Sequence, residues 1–391
     1  MRCTLIALAL AACSDNRGPD IPAPTSAAPP VASEIVYAPI DETRGTVALP
    51  VVEIPVPHRR TVLAAQWHLP QESPKLPPVV VWSHGGGSPV GMHKGGRRWA
   101  EAMAMEGFAV LRIIHRRRDP DEIARMCPGL IVGSDGKPLK VGDCASFVDF
   151  RRRYDKALDV AGALNQLELI AGKAGASVDV KRVAVAGHGD GAAAALALAG
   201  GRRAIGAIRP DLSHPLPRAF VAISAAGAEA ETGWDEDSFA DARGPILLIT
   251  GAGDDNGLAG RGWKRRVALF ELLPAPSSRL FVPSERARPG ELNLAGRSDA
   301  FVVPLRSTVV AFLDAHLRDG ESAKSYLASG ALAELAEQAA ASERLTSYRA
   351  KRRPHAEGRL FAVPTWCRKL VSQPAPVCHG NAAAPPSSVV P

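Results

Sequence analysis

Long apolar runs are scarce in this 391-residue chain: the stretch from Thr4 to Ala12 stops far short of the roughly 20 residues that a membrane-spanning helix needs. Among 6 cysteines and 10 histidines there is no CxxC pair and no Cys/His cluster at metal-binding spacing, so neither a metal site nor a cofactor is expected. Aromatic residues are few, at 5%, and none is interleaved with the basic clusters Arg116–Arg118, Arg151–Arg153 and Lys351–Arg353. Those clusters therefore read as solvated faces, and no nucleic-acid partner is expected. No internal repeat occurs, which excludes solenoid and array architectures. The composition, 46% hydrophobic and 22% charged, is that of a globular chain with one sizeable core. A net charge of +7 suits anionic lipid headgroups as neighbours.

The first residues carry a pattern of their own. Arg2 supplies a positive charge, Thr4–Ala12 the short apolar run, and Leu10-Ala11-Ala12-Cys13 a small-residue end, which together read as a signal peptide. This segment resembles the lipobox of bacterial lipoproteins, and that resemblance implies lipidation at Cys13 and a mature chain starting there. A periplasm-facing, lipid-anchored place in the cell envelope follows, with Ser14 favouring the outer membrane over the inner. Residues 14–44, rich in Pro, Ala, Ser and Asp, are expected to form a flexible tether without a core. The exported compartment permits disulfides. Cys127, Cys144, Cys367 and Cys378 then allow three pairings, of which sequence proximity favours Cys127 with Cys144 and Cys367 with Cys378.

From residue 45 onward, apolar β-rich runs recur at 47–56, 61–68, 79–83, 108–114, 183–186, 219–224, 246–250 and 279–282, eight strand candidates in all. The first two adjoin, whereas the later ones alternate with helical patterns at 98–105, 155–169, 192–198, 264–272 and 307–317. Runs such as Val79-Val80-Val81 and Ile246-Leu247-Leu248-Ile249 require burial on both faces, as in a parallel sheet covered by helices. The expected fold class is therefore α/β, a three-layer sandwich with a mostly parallel eight-stranded sheet over residues 45–318. Residues 319–391 read as a C-terminal extension: an alanine-rich helix over 322–345, a basic turn and a Pro/Ala-rich tail.

Three motifs carry chemistry. The first, Pro78–Gly87, reads PVVVWSHGGG: a buried strand entering His84 and the glycines Gly85, Gly86 and Gly87, whose backbone amides can face an oxyanion. The second is the strand–turn–helix of Arg182–Ala199, with GHGDG at the turn (Gly187, His188, Gly189, Asp190, Gly191). In the third, Pro245–Asp255, a buried strand delivers Asp254, with Asp255 as the alternative carboxylate.

In order and spacing these motifs, with the GFAV strand at 107–110, resemble the α/β hydrolases of the dienelactone hydrolase and platelet-activating-factor acetylhydrolase-like group over residues 45–318. The resemblance implies the α/β-hydrolase fold, a carboxylic-ester chemistry, Asp254 as the triad acid, and His84 and His188 as geometry-supporting residues. It also sets Gly189 in the place of the family's nucleophilic serine. Glycine carries no nucleophile, and Asp190, one residue on, is a weak candidate that should point away from the apex. The base is missing too: residues 281–299 contain no histidine, and His316 falls on the final helix pattern. The expectation is a catalytically impaired relative that binds a small hydrophobic ester or acyl ligand, or a partner protein. Two alternatives remain at this level. One is an active ester hydrolase using Ser83, Ser88, Asp190 or a water held by Asp254, with His84, His188 or His115 as base; the other is a structural envelope protein acting through its basic surface and C-terminal helix.

Overall fold

In a computed structural model, residue 37 and residues 45–56, 61–73, 75–85, 96–116, 131–132, 138–139, 144–205, 209–229, 232–254, 262–282, 287–294, 299–329 and 347–350 are described. The strands are β1 (Thr46–Ala48), β2 (Val52–Val56), β3 (Thr61–Pro70), β4 (Pro78–Ser83), β5 (Ala109–Ile114), β6 (Ile131–Val132), β7 (Pro138–Leu139), β8 (Asp179–His188), β9 (Pro217–Ile223), β10 (Ile246–Gly251), β11 (Ser277–Val282) and β12 (Ser347–Ala350). The α-helices are α1 (Arg97–Met105), α2 (Cys144–Asn165), α3 (Leu167–Ala174), α4 (Asp190–Leu198), α5 (Gly262–Leu272), α6 (Pro289–Leu292), α7 (Asp299–Leu317) and α8 (Glu321–Ala328).

Alternation along the central strands explains the layering. Val79, Val81, Val183, Val185, Phe220, Ala222, Ile246 and Leu248 share one core cluster with residues of α2 to α5. Their neighbours Val80, Trp82, Ala184, Ala186, Val221, Ile223, Leu247 and Ile249 belong to a second cluster, with residues of α1, α7 and α8. Successive strand side chains point to opposite faces, so a run apolar at every position demands helices on both sides. Each fully buried aliphatic side chain contributes roughly 1.5–3 kcal/mol. The molecule is thus an α/β protein with a mixed, mostly parallel sheet, compatible with three layers.

Among the described residues the main sheet has ten strands, in the order β1-β3-β5-β4-β8-β9-β10-β11-β12 with β2 beside β3. From β5 to β11 neighbours run parallel; β1, β2, β3 and β12 pair antiparallel. Ten strands replace the eight expected for two reasons. The run over 47–56 is broken into β1 and β2 around Leu49-Pro50, where proline cannot donate to the ladder. Beyond the expected boundary at 318, Ser347–Ala350 joins the sheet edge against β11. The helix expected over 322–345 is described as α8, and residues 330–346 lie outside the described residues. A further difference concerns the tether: Tyr37, inside the stretch expected to lack a core, is buried and donates to Asp314 Oδ2 at 2.8 Å.

One topological detail positions everything that follows. The chain leaves β4 toward β5 on one side, and leaves β8 toward β9 on the other. Between β4 and β8 the winding direction reverses, and in open α/β sheets such a reversal opens a crevice at the carboxyl ends of the strands. Ser83 at the end of β4 pairs in register with Gly187 near the end of β8.

Candidate functional site

At the carboxyl end of β8 the chain turns through Gly189, with φ 58° and ψ −118°, straight into α4. That backbone region favours glycine. The Gly189 amide donates to the Ile223 carbonyl at 2.8 Å, and the Gly189 carbonyl accepts from Ala193 at 3.1 Å. No side chain caps the helix. From Gly191 to Leu198 every residue of α4 is buried, which an alanine-rich helix, small and apolar all round, allows.

The flanking glycines answer to packing. A Cβ on Gly191 would lie 1.9 Å from the Ser83 carbonyl oxygen, and one on Gly187 would lie 2.3 Å from the Gly191 carbonyl oxygen. Gly189 differs: a Cβ there would meet only the Cα of Gly85, at 3.5 Å, an ordinary contact. Among the described residues, space for a Cβ therefore exists at the apex, and the positive φ is what opposes one. Opposite stands Gly85, where a Cβ would come within 3.0 Å of the His188 carbonyl oxygen. The backbone after β4, at Gly85, and the turn after β8 thus meet. Gly86, Gly87 and Ser88 lie outside the described residues.

Beneath the two turns lies a hydrogen-bonded series. Ser83 Oγ is 2.8 Å from His115 Nε2, and His115 Nδ1 is 2.8 Å from Asp159 Oδ2. All three side chains are buried, and Ser83 and Asp159 have no exposed surface. The His115 amide donates to His84 Nε2 at 3.2 Å, and His84 Nδ1 lies 2.7 Å from the Gly85 carbonyl. Lys156 Nζ donates to the His84 carbonyl at 2.8 Å and stands 3.6 Å from Asp190 Oδ2. Because burial penalises the imidazolium, and His115 and Lys156 add to that, His84 is pushed down to about 3. It is a neutral, structural imidazole at pH 7.

His188 is likewise pushed down to about 4, by burial first, with a hydrogen bond to the Pro289 backbone opposing the shift. Its Nε2 is buried without a hydrogen-bond partner among the described residues. The Asp190 side chain is 70% exposed.

The expected acid, Asp254, is wholly buried, yet its partners are not those of a triad. It accepts from Ser224 Oγ at 2.7 Å and from Thr250 Oγ1 at 3.0 Å, and its Oδ2 is 2.6 Å from Arg266 Nη1. Burial raises the Asp254 carboxyl above the usual range, while Arg266, Ser224 and Thr250 pull it back. Among the described residues no histidine hydrogen-bonds Asp254. Ser224 itself sits at φ 56°, a strained position for a residue with a side chain. His316, on α7, packs its ring edge on Phe312 at 4.6 Å between centroids and takes no part.

The structure therefore brings together His84, Gly85, His188, Gly189 and Asp190, and it pairs Asp254 with Arg266. Two residues escaped the sequence reading. Asp159 lies among Ala157, Leu158, Val160 and Ala161, where an acid on an apolar helix stretch is a detectable anomaly. Arg266 falls on the buried stripe of α5 with Gly262, Leu269 and Phe270, a second anomaly of the same kind. Asp255, Cys13, Cys127, Cys367 and Cys378 lie outside the described residues, as does the side chain of Cys144. Among the described residues no group of His, Cys, Asp and Glu could hold a metal, and no helix is long and apolar enough to cross a membrane. A groove of about 340 Å³, lined by Leu164, Leu167, Val180 and Leu216 among others, lies at the amino ends of the strands, away from both turns.

Compared with known proteins, the chain matches no family model and no curated protein.

Proposed function

We propose that this chain is a member of the α/β-hydrolase superfamily, of the dienelactone hydrolase and platelet-activating-factor acetylhydrolase-like group, whose elbow no longer performs covalent acyl transfer. In this reading the crevice above Gly189 binds a small hydrophobic acyl or ester ligand, and the protein faces the periplasm on a lipid anchor at Cys13. The strand order, the winding reversal between β4 and β8 and the φ 58°, ψ −118° turn support the assignment. The observation that carries the functional half is Gly189 itself. With a hydrogen atom at the apex, no oxygen attacks an acyl carbon. The acid that would orient a base is instead paired with Arg266. The anchor rests on the lipobox pattern alone.

The test is hydrolysis of p-nitrophenyl butyrate by purified protein. Turnover no faster than buffer is expected, and robust saturable turnover removes the reading.

A second reading, an active hydrolase with a non-standard constellation, is favoured by one observation: Ser83, His115 and Asp159 align atom for atom as a nucleophilic triad does. Against it stands the complete burial of Ser83, since an acyl carbon must come within about 3 Å of the attacking oxygen. The leading reading is preferred on that ground. A fluorophosphonate adduct mapped to Ser83 would reverse the order.

A further inference from the structure

With His115 neutral, the hydrogen-bond donors and acceptors around it admit one consistent assignment. A buried Asp159 carboxylate accepts, so His115 Nδ1 carries the proton and Nε2 is an acceptor for the Ser83 hydroxyl. The His115 amide donates to His84 Nε2, so His84 carries its proton on Nδ1 and donates it to the Gly85 carbonyl. Both tautomers are thereby determined, and each step hands the next residue one orientation. The series starts on α2, crosses the ends of β5 and β4, and ends at the turn that faces Gly189. Lys156, one helical turn before Asp159, adds a second tie from α2 to the same turn through the His84 carbonyl. A buried polar network satisfied at every member holds its parts in a single arrangement.

We propose that His115 is the positioning residue of the crevice. Oriented by Asp159, it holds Ser83 and, through His84, the Gly85 backbone against the turn at Gly189, where the oxygen of a bound acyl group would sit. Ser83 serves as a donor inside this relay. The inference rests on the acyl-ligand reading for its last step only; the relay itself rests on the geometry.

Two measurements on the full chain test it, with octanoate as the probe ligand. In wild-type protein, nitrogen-15 NMR is expected to show His115 neutral and protonated on Nδ1, with a downfield, slowly exchanging proton. Asp159→Asn can present an N–H to Nδ1, and is expected to move the proton to Nε2 and to weaken octanoate binding at least about tenfold, as tautomer loss disables an aspartate–histidine pair elsewhere. Ser83→Ala keeps the Asp159 contact and is expected to keep the wild-type tautomer, which guards against a variant that merely misfolds. A wild-type His115 protonated on Nε2 overturns the relay. Equal octanoate binding by wild type and Asp159→Asn, with the tautomer moved, overturns the positioning role. Absence of octanoate binding in wild type with the Nδ1 proton in place counts against the acyl-ligand reading and leaves the relay supported.

Discussion

Two clusters at the carboxyl ends of the same sheet divide between them what a serine hydrolase needs. Ser83, His115 and Asp159 have the hydroxyl, the imidazole and the carboxylate at 2.8 Å spacing, but no exposed surface at the serine. Gly189 has, among the described residues, room for a Cβ and a sharp turn into α4, but no side chain, and Asp254 is committed to Arg266. One cluster has a triad's order around a buried serine, and the other has a sharp turn without a nucleophilic side chain. The comparison teaches that triad geometry alone does not identify a catalytic site; accessibility decides.

The sharpest way to break the elbow side of the comparison is Arg266→Ala. Removing one partner of a buried ion pair leaves Asp254 uncompensated, at a cost of about 3–5 kcal/mol. Chemical denaturation should show that loss, and Asp254→Asn in the same chain should recover much of it. A loss below about 1 kcal/mol would mean that the pair does not hold the acid.

Next in size is the contrast within GHGDG. Gly191→Ala forces a methyl to within 1.9 Å of the Ser83 carbonyl oxygen and is expected to cost about 3 kcal/mol or more. Gly189→Ala meets only the positive φ and is expected to cost about 1–2 kcal/mol. Equal effects would contradict the claim that only the apex has space. Gly189→Ser should likewise fold and still fail to hydrolyse aryl esters, because among the described residues no histidine hydrogen-bonds Asp254 to serve as an oriented base.

A gentler probe is acid. His84 belongs to the relay and His188 to the elbow, and both have folded values, about 3 and about 4, below the ordinary 6.5. The unfolded chain therefore binds more protons than the folded one between those values and 6.5. Their contribution is intact above pH 6.5 and is lost as pH falls, by as much as about 1.4 kcal/mol per pH unit for each histidine. Denaturation midpoints should drop steadily from pH 7 to pH 4, and His84→Gln or His188→Gln should flatten part of that slope.

Much of this architecture was legible in the chain. Val79–Val81 and Ile246–Ile249, apolar at every position, had to be central strands, and the glycines after Ser83 and His188 had to be turns. β12 was not legible, because Ser-Tyr-Arg-Ala has neither an apolar run nor clear alternation. α2 begins at Cys144 instead of 155 because Arg151–Arg153, read as a solvated face, are good helix formers all the same. In the site, Gly189 and Asp254 were singled out by the resemblance of their motifs to the hydrolase group. Arg266 and Asp159 were not, since Arg266 reaches Asp254, and Asp159 reaches His115, only after the strands are laid side by side.

The central claim, that no side chain in the crevice attacks an acyl or phosphonyl centre, is tested most directly by intact-mass spectrometry after prolonged incubation with a fluorophosphonate. The unmodified mass is the predicted result. A single stoichiometric adduct, mapped by peptide sequencing to any residue lining the crevice, would contradict it.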